Sequence, residues 1–130
     1  PMSIQAPRFS IEDKKIYLSV TSEGIYDSPT DLLDITIQVH QKAKETGIRY
    51  FLLDFTRASF KLPIAEAYNL VRTYDLSMPA FAGSVAAGVY NEPSREFVKY
   101  WQEVGCQRGY TFELFKEISE AKAWLIKQVK

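Results

Sequence analysis

Asp54, Thr56, Arg57 and Ser59 stand close together just past a strongly apolar run, and they offer one carboxylate, two hydroxyls and one guanidinium. Such groups bind: they hydrogen-bond and ion-pair with a peptide, a carboxylate or a phosphate. Two similar stretches occur, Glu23, Tyr26, Asp27 and Ser28 in one, and Tyr90, Asn91, Glu92 and Ser94 in the other. Each of the three leads into a helix start marked by proline: Pro29, Pro63 and Pro93. Helix N-termini attract anions, although Asp31, Glu66 and Glu96 stand in the same first turns and answer the same field. Asp54, Thr56, Arg57, Ser59, Tyr90 and Asn91 therefore form the candidate binding site. Arg57 is the expected ligand or partner contact; its alternative is a surface ion pair with Asp54 or Glu92.

The remaining reactive side chains form no catalytic constellation. His40 is the single histidine, and no second His or Cys lies at metal-ligand spacing, so no metal is expected. It reads as a solvated or half-buried helix residue. Cys106 has no histidine near it in sequence and reads as a buried or capping thiol. There is no Gly-x-Ser-x-Gly elbow, no Walker loop and no dinucleotide fingerprint, so neither catalytic residues nor a cofactor are assigned. One further segment is unusual: residues 76–83, Leu-Ser-Met-Pro-Ala-Phe-Ala-Gly, join two elements yet are mostly apolar. Such a loop acts as a lid, or touches a bilayer, with Met78 and Phe81 as its tips; alternatively Phe81 plugs the core.

The elements that must position these groups follow from periodicity and punctuation. Ile4 to Ile11 reads as a strand interrupted by Pro7, hence an edge or bulged one. Glu12–Lys15 makes a polar turn, and Ile16, Leu18 and Val20 alternate with polar neighbours as a second strand. Ser28-Pro29 opens a helix with the stripe Leu32, Ile35, Val39 and Ala43, stopped by Gly47. A strand reading of Ile35, Ile37 and Val39 competes, but the cap, the length and the Gln-Lys-Ala-Lys-Glu tail favour helix. Ile48–Phe55 is almost continuously apolar, as in a central strand covered on both faces. Leu62-Pro63 opens a second helix with inward Ile64, Ala67, Tyr68, Val71 and Tyr74. Ser84–Tyr90 is a strand, Glu92-Pro93 opens a third helix with Phe97, Trp101 and Val104 inward, Thr111–Phe115 is the last strand, and Ser119 caps a last helix. Strands alternating with helices imply right-handed crossovers. The expected fold is α/β, a single mixed, mostly parallel five-stranded sheet with an N-terminal antiparallel hairpin and four helices. In such sheets ligands bind beyond the carboxyl ends of the strands, where the three polar stretches fall.

Composition excludes other classes. The chain of 130 residues carries 16 Lys plus Arg against 16 Asp plus Glu, and this zero balance argues against a nucleic-acid binder. No apolar run approaches the ~20 residues of a membrane span. A single cysteine forms no internal disulfide, which points to the reducing cytoplasm. Residues 1–3 read as a cloning remnant or a disordered end, and residues 4–130 as one domain. Exposed strand edges leave room for a homodimer.

The order of elements, with its opening hairpin, resembles the STAS domain of bacterial anti-sigma-factor antagonists. The tail from Phe115 to Leu125, with Glu120-Ala121 and Trp124-Leu125, is similar to the ending of the SpoIIAA-like (STAS/CRAL-TRIO-like) branch. The resemblance implies a binding and regulatory module without enzymatic activity, acting on a protein partner or small ligand. Antagonists of this type share an Asp-Ser-[Ser/Thr]-Gly motif at the start of the second helix, whose serine is phosphorylated. Here that stretch reads Phe60-Lys61-Leu62-Pro63-Ile64-Ala65, with no hydroxyl, and Thr56 and Ser59 are the nearest ones. Likeness to CRAL-TRIO domains implies the alternative, a carrier of an apolar ligand or a protein in peripheral contact with a membrane.

Overall fold

The computed structural model describes residues 6–129, so Ile4 and the segment 1–3 lie outside the described residues. Strands β1 (Arg8–Asp13) and β2 (Leu18–Tyr26) form the expected hairpin. Its turn falls two residues later than expected, at residues 14–17. Lys15 takes a left-handed conformation (φ 78°), with its N–H donating to Asp13 Oδ1 at 2.8 Å. Ile16 falls in this turn and is exposed, so the inward alternation starts only at Leu18.

Helix α1 (Pro29–Thr46) begins where Ser28 Oγ accepts the Thr30 N–H, and ends at Gly47, whose positive φ (75°) lets its N–H reach the Ala43 carbonyl. Leu32, Ile35, Val39 and Ala43 are buried, while Ile37 is 50% exposed. A strand would have put Ile37 on one face with Ile35 and Val39. The 3.6-residue period decides the matter.

The chain continues through β3 (Tyr50–Phe60), α2 (Ala65–Ser77), β4 (Val85–Tyr90), α3 (Arg95–Gln107), β5 (Thr111–Phe115) and α4 (Ile118–Gln128). The sheet order is β1-β2-β3-β4-β5, with β1 antiparallel to β2 and every other pair parallel. Each crossover steps to the next strand in the same direction. With one handedness, α1, α2 and α3 must then fall on one face. Leu18, Val20, Phe51, Leu53 and Phe55 join Ile35, Val71 and Trp101 in that face's core. Leu52, Ala87 and Val89 point the other way, onto Ala121 and Leu125 of α4. The central strand is therefore sandwiched as its apolar run requires. Gly88 serves this packing: a Cβ there would stand 3.0 Å from the Phe112 ring.

Two helix faces differ from expectation. In α2 the buried residues are Ala67, Leu70 and Val71, whereas Ile64 lies ahead of the helix and Tyr68 is 43% exposed. Leu70 wins the inward position because it is the more apolar of the two. Ser119 does not cap α4, which opens two residues earlier, after Glu117, and makes no side-chain cap. At the edge, the Phe112 carbonyl of β5 is taken by Gln102 Nε2 at 2.9 Å. Cys106 is exposed rather than buried, with Sγ 3.7 Å from the same carbonyl.

Candidate functional site

The expected loop from Asp54 to Ser59 is in fact strand. β3 runs on to Phe60 by way of a bulge: its pairing with β2 jumps from Thr21–Asp54 to Glu23–Arg57, so β3 carries one residue more. Phe51, Leu53 and Phe55 face the three-helix side before the bulge, and Ala58 and Phe60 face it afterwards. The extra residue reverses the parity and keeps both halves inward. Asp54 locks the bend, as its Oδ1 accepts from both the N–H (3.1 Å) and the hydroxyl (2.7 Å) of Thr56. Sequence alternation alone breaks at Thr56-Arg57, which reads as the end of a strand.

β4 stops at Tyr90, opposite Phe55, and leaves the rest of β3 without a neighbour on that side. Side chains replace the missing strand. Asn91 Nδ2 donates to the carbonyls of Thr56 (3.1 Å) and Ala58 (2.8 Å). Ser94 Oγ accepts the Phe60 N–H at 3.0 Å and donates to the Ala58 carbonyl at 3.3 Å, and the Ser94 N–H returns to Asn91 Oδ1 at 3.2 Å. Buried backbone groups demand such partners. Asn91, Asp54 and Thr56 are thus occupied in holding the strand end. Tyr90 is partly buried against the core.

Arg57 is different. In register it faces Glu23, but the Glu23 carboxylate pairs with Arg8 on β1 (2.9 Å). Glu92 lies nearest Arg95 (3.9 Å), and Asp54 is turned to Thr56. Neither expected ion pair forms, and among the described residues Arg57 has no ion pair or hydrogen bond, while its side chain stays exposed. Ser59 lies two positions on, half-buried. The structure therefore gathers the six expected residues around one strand end and leaves Arg57 as the group with unspent capacity. The hydroxyl of Tyr26 beneath them hydrogen-bonds Ser22, and burial pushes its pKa up.

The apolar lid does not form. Met78 and Phe81 are 5% and 7% exposed, and the short turn Pro79–Phe81 drives the Phe81 ring edge-on against Phe51, Tyr74 and His40. Apolar tips gain more from burial in the core than in water, and the segment is a plug. His40 fastens it: Nε2 accepts the Ala80 N–H at 3.1 Å, forty residues away in sequence. That bond needs the neutral ring. Burial first, and Lys44 second, hold the His40 pKa below its usual value. The unfolded chain therefore binds a proton that the folded chain resists. Stability is fully present above about pH 6.5, the unfolded value, and is lost as pH falls towards the lowered folded value. Thermal unfolding measured from pH 7.5 to 5 should show this decline, and His40→Gln, which keeps an acceptor without the charge, should flatten it. Equal slopes for both proteins would refute the assignment.

At the same end of the sheet, Asp75 accepts from Arg108 Nε (2.7 Å) and the Tyr110 hydroxyl (2.8 Å), tying α2 to the end of α3. These bonds lower the Asp75 pKa, while burial and then Asp75 push Tyr110 up to about 12. No spacing signal marked this cluster, because Asp75 lies more than thirty residues from Arg108 and Tyr110. Beneath the helices lies a cavity of about 110 Å³, whose walls include Ile35, Phe51, Leu53, Leu70, Trp101 and Phe112. Phe81 also lines it, whereas Tyr68 is on the surface and Phe97 stacks on Phe60. Among the described residues no three His, Cys, Asp or Glu side chains gather as metal ligands, and no helix is long and apolar enough to cross a membrane.

No family model and no curated protein matches the chain. Solved structures do. The anti-sigma factor antagonist SpoIIAA, in its unphosphorylated form, aligns with a TM-score of 0.59 at 17% identity, over 95% of this chain and 100% of its own. An anti-sigma factor antagonist from Mycobacterium paratuberculosis aligns at 0.61 and 14% identity, over 92% and 94%. An uncharacterised protein with a SpoIIAA-like fold from Shewanella loihica aligns at 0.59 and 17% identity, over 96% and 98%. Likeness at these identities is likeness of fold. The chain has the SpoIIAA-like, STAS-type fold that its element order and tail resemble.

Proposed function

We propose that the chain is a non-enzymatic regulatory module, with residues 4–130 as one domain, that binds a protein partner at the surface over the carboxyl ends of its parallel strands. The observation that carries this reading is Arg57. Among the described residues it is an exposed, unpaired guanidinium, on a strand end held from behind by Asn91 and Ser94. A charge fixed on a rigid platform loses little conformational entropy on docking, and a guanidinium suits a carboxylate-bearing partner. Two of the structures that share the fold are antagonists of anti-sigma factors, which supports a protein as the partner. The single cysteine supports a reducing compartment, the cytoplasm.

Control by phosphorylation at the start of α2 finds no support in Leu62-Pro63-Ile64. Ser59 is the hydroxyl nearest Arg57 that is left without an assigned role, and Ser59→Asp should weaken partner binding by placing a carboxylate beside the guanidinium. Arg57→Glu should abolish capture of the partner from native lysate, while Arg72→Glu, exposed on α2 across the sheet, should not. Both variants should melt within about 2 °C of wild type, because exposed substitutions rarely exceed about 0.5 kcal/mol. Identical capture by all three proteins would remove Arg57 from the site.

One further reading, carriage of an apolar molecule, is favoured by the cavity beneath the helices.

A further inference from the structure

Ser84 stands just before β4, at the opposite end of the sheet from Arg57. It lines the cavity, and its Oγ is buried without a hydrogen-bond partner. A buried hydroxyl left unpaired is costly, and native proteins rarely leave one so. Three of the other hydroxyls in the same wall are committed: Thr36 to the Leu32 carbonyl, Tyr26 to Ser22 and Tyr110 to Asp75. A water needs two to four polar partners to be held, so this wall suits one poorly.

The volume limits what else would fit. Apolar cavities of about 150 Å³ stay dry and take up benzene. At about 110 Å³ this one has room for a single small ring and none for a lipid tail. Its walls include the rings of Phe51, Trp101 and Phe112, which suit an aromatic guest. Thr111, also in the wall, is exposed and lies beside Ser84, whose carbonyl accepts its N–H at 3.2 Å.

We infer that the cavity is a binding site for a small neutral aromatic molecule carrying one hydrogen-bonding group, of phenol size, with the ring in the apolar chamber and its polar atom on Ser84 Oγ. The inference rests on the carrier reading and is independent of the docking surface at Arg57. Phenol and benzene serve as probes, titrated separately into the intact protein at pH 7 while the amide signals of Ser84, Gly105 and Thr111 are followed. Both should bind, phenol about three- to tenfold more tightly, the effect of one ordinary hydrogen bond. In Ser84→Ala the preference should vanish while benzene binds as before. If benzene binds and phenol gains nothing in the wild type, or if the preference survives in Ser84→Ala, the role of Ser84 falls and the carrier reading stands. If neither probe shifts these signals at millimolar concentration, both fall. The wild-type comparison decides the matter even without the variant.

Discussion

Phe60→Ala should cost about 3–5 kcal/mol, the usual range for removing a buried phenylalanine. In a chain of this size that lowers Tm by roughly 10–20 °C. The reason lies in the neighbours of the ring. Phe60 stacks on Tyr26 (centroids 5.1 Å apart) and on Phe97 (5.3 Å), and meets Phe55 edge-on at 5.3 Å. It thereby joins β2, β3 and α3 at the end of the sheet that carries Arg57. Truncation leaves a hole that three rings fixed on different elements are poorly placed to fill. Capture of the protein partner should fall along with stability, since the platform beneath Arg57 loosens. A loss below about 1 kcal/mol by urea unfolding would mean that the strand end is not anchored by this ring.

Ser94→Ala should cost about 1–3 kcal/mol, more than its one lost hydroxyl suggests. Ser94 is almost completely buried, and its Oγ is the partner of the Phe60 N–H. Alanine leaves that donor in the interior with neither protein nor water to bind, and an orphaned buried group carries the full desolvation penalty. The same variant frees one lone pair of the Ala58 carbonyl, but Asn91 still serves that atom, so the smaller part of the cost arises there. Hydrogen exchange gives the sharper readout. The Phe60 amide should exchange much faster in the variant, while the Phe51 and Leu53 amides, paired within the sheet, should keep their protection. Unchanged protection at Phe60 would show that another acceptor holds it.

Both predictions concern a part of the molecule that sequence reading misplaced. Periodicity found the helix Pro29–Thr46 down to its caps, because Ser28 and Gly47 act on groups within four residues of themselves. It found β3 as the covered central strand from the unbroken run Tyr50–Leu53. The same logic ended that strand too early. A bulge shifts alternation by one, and in sequence this looks the same as a loop beginning at Asp54. Tyr68 and Leu70 illustrate a second limit: both flank the Ala67–Val71 line at helical spacing, and the period alone does not say which flank is buried.

The six expected site residues do converge, yet five of them turn out to be committed to the strand end or the core, or to lie half-buried beside them, and among the described residues only Arg57 stands exposed and unpaired. Asp54 and Thr56 hold the bend, and Asn91 holds the backbone beyond it. Their residue types advertise hydrogen bonding, and type alone does not say whether the bond goes to a ligand or to the chain itself. Met78 and Phe81 pose the same question for apolar groups, and the core claimed them.

The chain's own order of residues determined the elements, their succession and the choice of an α/β sheet, because caps, proline starts and hydrophobic period act over a few neighbouring residues. Only the folded chain decided which polar groups remained available. Asn91 meets Ala58, His40 meets Ala80, and Arg108 meets Asp75 across more than thirty residues each. Such pairs depend on the order in which crossovers lay strands side by side, and no local pattern encodes that distance.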